Sequence, residues 1–185
     1  MNVCFIGHRR IGFGPIRERL KSAIEKKVKE GCRFFTMGTH GEFDELALSV
    51  CRELRNTYAD IKIEVVITSL KKTEKQLLYD DEFGKEYETP YSDVLTTMYE
   101  IEEAHYKRQI IESNHQMIDN CDTLICYVNT KQNPSGAKLA MNYAKRKGLE
   151  IINLYDEKDN PTYGMTKEEK EDYYKKLFKK VQKMT

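Results

Sequence analysis

Near its start the chain carries an uninterrupted apolar run, Val3-Cys4-Phe5-Ile6, closed by Gly7. So short a run predicts a strand buried on both faces, with Gly7 to Gly14 as the loop after it. Pro15 suits the first turn of a helix, where a missing N–H costs nothing. Ile16, Leu20, Ala23, Ile24 and Val28 then recur at helical spacing with charges between them, and Gly31 ends the helix. The pattern repeats. Cys32 to Met37 predicts a second strand, Gly38 to Gly41 a second glycine loop, and Phe43 to Asn56 a second amphipathic helix. Ile61 to Ile67 is β-branched and partly alternating, a third strand. The charged stretch Lys71 to Glu88 predicts a helix with frayed ends, and Asp93 to Met98 a fourth strand.

The second half follows the same grammar. Glu102 to Asp119 is helical by pattern, with Ile110, Ile111, Met117 and Ile118 on or near its apolar face. Thr123 to Val128 is a strand, a loop with Asn133-Pro134-Ser135-Gly136 follows, and Ala137 to Arg146 is a helix stopped by Gly148. Glu150 to Leu154 closes the sheet, and a polar loop from Asp156 to Gly164 leads to a lysine-rich helix over Lys167 to Lys183. Strands alternating with helices of this length imply parallel pairing through right-handed crossovers, with helices on both faces. The expectation is a Rossmann-like three-layer α/β/α fold with a mainly parallel sheet. One domain covers residues 1–155, and residues 156–185 form a loop and a helix packed on it.

Composition narrows the function more than the fold. At 185 residues the chain suits one domain, and 39% hydrophobic against 33% charged residues is ordinary for a globular protein. A net charge of +1 gives no global field toward nucleic acid or a membrane, so any anion site must be local. The five cysteines include no C-x-x-C pair, and Cys4, Cys32 and Cys126 sit in apolar runs as small hydrophobes. With no basic leader segment and no apolar stretch of spanning length, a reducing cytoplasm is the expected location and no membrane partner is expected. Histidines without an i,i+4 partner or a C-x-x-C companion make a structural metal unexpected, and no cofactor is called for.

In an open parallel sheet, ligands sit at the carboxyl ends of the strands. Three loops occupy that position. The first, Gly7-His8-Arg9-Arg10-Ile11-Gly12-Phe13-Gly14, joins glycines and two arginines to a helix start, an arrangement suited to an anion. Its glycine spacing is not the dinucleotide fingerprint. In the second, Gly38 and Gly41 permit close approach, Thr39 supplies a hydroxyl, and Glu42 and Asp44 open the next helix. Asp44 suits a ribose hydroxyl or, equally, a plain dipole-stabilising role in a first helical turn. The third runs from Asn129 to Lys138, where Ser135 is an N-cap or a phosphate ligand beside Gly136, and Lys138 is within reach.

Together these loops resemble the SLOG superfamily, in particular its YpsA-type small bacterial proteins. The resemblance rests on Val3-Cys4-Phe5-Ile6-Gly7-His8-Arg9, on Gly38-Thr39-His40-Gly41-Glu42-Phe43-Asp44 and on Asn114-His115-Gln116-Met117-Ile118-Asp119. It continues through Asp122 to Val128, Ser135-Gly136 and Tyr143-Ala144, and spans Asn2 to Tyr155. It implies a domain that binds a nucleotide or nucleotide-derived ligand, with Asn114 added to the site. Some relatives cut the N-glycosidic bond of a nucleoside monophosphate, others bind single-stranded DNA, and many self-associate, so a homo-oligomer is an open expectation. The arginine and glutamate of the hydrolytic relatives fall at Ser113 and in Ala137 to Met141, where this chain has neither. A binding or sensing module for a nucleotide-derived small molecule is therefore expected first. A nucleoside-monophosphate hydrolase or transferase using Glu42 or Asp44 comes next. Single-stranded nucleic-acid binding comes last, because near-neutral charge suits it poorly.

Overall fold

The computed structural model describes residues 1–12, 14–68, 90–99, 105–131, 135–160 and 162–182. The strands are β1 (Asn2–Gly7), β2 (Phe34–Met37), β3 (Lys62–Ile67), β4 (Leu95–Met98), β5 (Thr123–Tyr127) and β6 (Glu150–Asn153). Among the described residues the helices are α1 (Ile16–Lys29), α2 (Glu42–Arg55), α3 (Tyr106–Asp119), α4 (Gly136–Lys147) and α5 (Lys167–Gln182). A short 3-10 turn covers Glu157–Asp159. The helix expected over Lys71 to Glu88 lies outside the described residues, as do Phe13 and Asn133-Pro134.

All strand pairs are parallel, in the order β4-β3-β2-β1-β5-β6. The chain builds outward from β1 in one direction as far as β4, then crosses to the other side of β1 with β5. That reversal makes a crevice at the carboxyl ends of β1 and β5. The central strands are apolar without alternation because both their faces are covered. Val3 and Phe5 join the apolar stripes of α1 and α2, among them Ile16, Leu20, Ile24, Phe43 and Ala47, in one core. Cys4 and Ile6 point the other way, against Met117 and Ile118 of α3 and Ala140, Met141 and Ala144 of α4. Each large aliphatic side chain contributes about 1.5–3 kcal/mol by leaving water. The architecture is the expected Rossmann-like three-layer fold, with a sheet that is parallel throughout.

Beyond β6 the chain turns back toward the crevice. The carboxylate of Asp159, only 3% exposed, accepts from the Arg19 guanidinium of α1 and from the Tyr127 hydroxyl of β5 at 3.3 Å. That hydroxyl in turn accepts from the Gly12 amide at 3.2 Å. The turn after β6 is thereby tied to the loop after β1. No described helix is long and apolar enough to cross a membrane.

Candidate functional site

Parallel strands end on one edge of the sheet, so the loops after β1 and β2 and the start of α4 are brought to the same rim. They meet around an open cleft of about 310 Å³. Gly7, His8 and Arg9 line it from the first loop, Gly38, His40 and Asp44 from the second, and Ser135, Gly136 and Ala137 from the third. Ile110 and Asn114 of α3 complete the wall. Segments far apart in the chain thus share one space, and the first residues of α4 open onto it with the positive end of the helix.

The first two loops are laced into one unit. The Glu42 amide donates to the Arg9 carbonyl at 3.0 Å, and the Ile11 amide donates to the Glu42 carboxylate at 2.9 Å. A side chain at Gly41 would put its Cβ 2.6 Å from the Arg9 Cα, and one at Gly7 would come 2.5 Å from the Phe43 ring. These two glycines serve the close packing of the loops, whereas an added Cβ at Gly136 would meet nothing within 4 Å. The third loop is held to the first through the Asn129 amide, which donates to His8 Nε2 at 2.8 Å.

That contact fixes the chemistry of His8. With Nε2 accepting, the proton of the neutral ring belongs on Nδ1, and burial pushes the imidazole below its usual range. His40 meets the Thr68 hydroxyl at 2.6 Å, and burial, then the nearby Arg9, lower its pKa as well. Near neutral pH both imidazoles are uncharged, leaving Arg9 as the cation among the described side chains that line the cleft.

Asp44 departs from what its position suggests. A first-turn carboxylate is expected to be ionised by the helix dipole. Here burial dominates and pushes Asp44 up from 3.8 to about 6, against the lowering effect of hydrogen bonds from the His40 and Gly41 amides. The His40 amide bond measures 2.9 Å. The cleft therefore holds a carboxyl group that exchanges its proton just below neutral pH.

The remaining expected residues divide. Thr39 is half-buried between two lining residues but is not in the wall itself. Glu42 is occupied by the Ile11 amide rather than aimed at the cleft. Ser135 caps α4, accepting from the Lys138 amide at 3.2 Å, while it also lines the cleft. Lys138 Nζ donates to the Thr130 carbonyl at 2.6 Å, within its own loop. Asn129 lines the neighbouring hollows and donates through its side chain to the Tyr155 hydroxyl at 2.8 Å. Ser113 is buried and donates to the Ile110 carbonyl at 3.0 Å.

Sequence reasoning did not single out His40 as a wall of the cleft, or Ile110 and Ala137. His40 lay inside a motif already noted, and its register beside Asp44 was the available signal. A larger hollow of about 560 Å³ opens around Asn129 to Lys131 and Asn153 to Lys158. Two of its charged side chains are already paired, Lys131 with Glu157 at 2.5 Å and Arg19 with Asp159. It lacks the helix start and glycine loops of the smaller cleft.

No curated protein matches the chain. Residues 1–156 match the model of the YspA SLOG family, over a span that includes every described strand and all three loops of the cleft. By that match, and in keeping with the loop motifs, the chain belongs to the YspA SLOG family.

Proposed function

We propose that the chain binds a nucleotide or nucleotide-derived small molecule in the cleft between Gly7, Gly38 and Gly136. The observation that carries this reading is convergence: three strand-end loops and a helix start border one open space of about 310 Å³. That volume lies at the small end of ordinary ligand sites. A phosphate fits the start of α4, where helix-end amides and Arg9 favour an anion. Sugar hydroxyls fit Asn114, an amide that both donates and accepts, and Asp44. Near-neutral net charge and a short rim favour a small molecule over a nucleic-acid strand. Calorimetry against mono-, cyclic and ADP-ribose-type nucleotides tests the proposal. Saturable heat with at least one of them is expected, and uniform silence from folded protein would refute it.

The raised pKa of Asp44 favours a second reading, N-glycosidic hydrolysis. A protonated carboxyl at the cleft can give its proton to the leaving base as the glycosidic bond breaks; water then captures the sugar cation and returns a proton to the carboxylate. Chromatography for free base after incubation with nucleoside monophosphates decides it. Base release that Asp44→Asn abolishes, with binding retained, supports hydrolysis; binding without release leaves the sensing role alone.

A further inference from the structure

At the end of the sheet opposite the cleft, two thiols from distant parts of the chain touch. Cys121, in the turn between α3 and β5, has its Sγ 2.8 Å from the Sγ of Cys4 in β1. The backbones on either side are pinned together. The Asn2 amide donates to the Asp122 carboxylate at 2.7 Å, and its side chain to the Asn120 carbonyl at 3.1 Å. The Asp122 amide donates to the Asn2 carbonyl at 2.9 Å. All five cysteines are free thiols. We propose that Cys4 and Cys121 are an oxidisable dithiol, a modification site that closes to a disulfide when the protein meets a low-molecular-weight disulfide oxidant.

The sulfur contact places the two thiols within reach of one another. A disulfide bond is about 2.05 Å long, so the sulfurs approach by less than about 1 Å. The two residues also differ in access. Cys4 is buried, and burial and the adjacent Cys121 hold its thiol well above the ordinary range, so it does not react first. Cys121 is half-buried and the more exposed of the two. Its thiolate attacks one sulfur of the oxidant, forming a mixed disulfide and releasing one small thiol. Cys4 then loses its proton and attacks the Cys121 sulfur, expelling the second small thiol. Two protein thiols are oxidised, one small disulfide is reduced, and the two protons leave on the released thiols. In a reducing compartment the pair rests as thiols and responds only to oxidant.

The bridge would join residues 117 apart, tying the strand that delivers His8 to the turn after the helix that delivers Asn114. A loop of that length raises the melting temperature by about 5–15 °C when closed. The test incubates the native protein with oxidised glutathione, blocks remaining thiols and measures intact mass and peptide linkage. Loss of two hydrogens, a Cys4–Cys121 peptide and the upward melting shift are expected. Cys121→Ser is expected to keep its thiols unbridged. Glutathione remaining on Cys121, a bridge to Cys126 instead, or no thiol loss in the native protein would overturn the proposal.

Discussion

Replacing Asp44 by asparagine probes the electrostatics of the cleft without requiring the ligand. Folding moves the carboxyl from 3.8 to about 6, chiefly by burial. Between those values the folded protein holds a proton that the unfolded chain has released. Stability therefore falls as pH rises through this window and levels off above it. At 1.36 kcal/mol for each pH unit the full span is about 3 kcal/mol. Asp44 is half-buried, so solvent screening reduces the expected effect to about 1–2 kcal/mol. Asparagine removes the charge and keeps a carbonyl that accepts from the His40 amide. Urea unfolding of both proteins at several pH values from about 4 to about 8 gives the difference directly. The variant is expected to gain on the native protein as pH rises from about 4 to about 6, and to be the more stable above that. A difference that is flat with pH, or that falls as pH rises, would refute the assignment of burial as the dominant cause.

Other consequences follow from packing and hydrogen bonding. Gly7→Ala drives a methyl to 2.5 Å from the Phe43 ring. Overpacking of that kind costs about 1–3 kcal/mol, so calorimetry is expected to show melting lowered by about 3–10 °C. Asp159→Ala leaves the Arg19 guanidinium and the Tyr127 hydroxyl without their shared acceptor. Chemical denaturation is expected to register a loss of about 2–4 kcal/mol. Glu42→Ala removes the acceptor for the Ile11 amide, whereas Glu42→Gln keeps one. Nucleotide affinity, measured by calorimetry, is expected to fall about fivefold in the alanine variant and little in the glutamine variant, matching one hydrogen bond of about 1 kcal/mol.

The three layers and the parallel pairing were legible because local patterns dictate them. Val3 to Ile6 and Thr123 to Val128 are apolar on successive residues, as strands covered on both faces must be. Parallel pairing then forces their following loops onto one edge, so the meeting of Gly7, Gly38 and Gly136 was also within reach of the sequence. What each polar side chain does there was not. Glu42 and Asp44 stand two apart at one helix start, yet the Ile11 amide takes the first while loop closure buries the second. Lys138 stands in the first turn of α4, and whether it reaches the cleft or the Thr130 carbonyl depends on the path of a loop without periodicity. Asp159 and Arg19 lie 140 residues apart, and nothing in either segment's composition announces their contact.

The cleft is most directly tested by amide NMR shifts on titrating the labelled protein with a nucleoside monophosphate. Saturable changes concentrated at Gly7, Gly38, Gly136 and Ala137 are expected. Changes confined to Lys131, Tyr155 and Lys158 around the larger hollow, or none at all, would contradict the assignment.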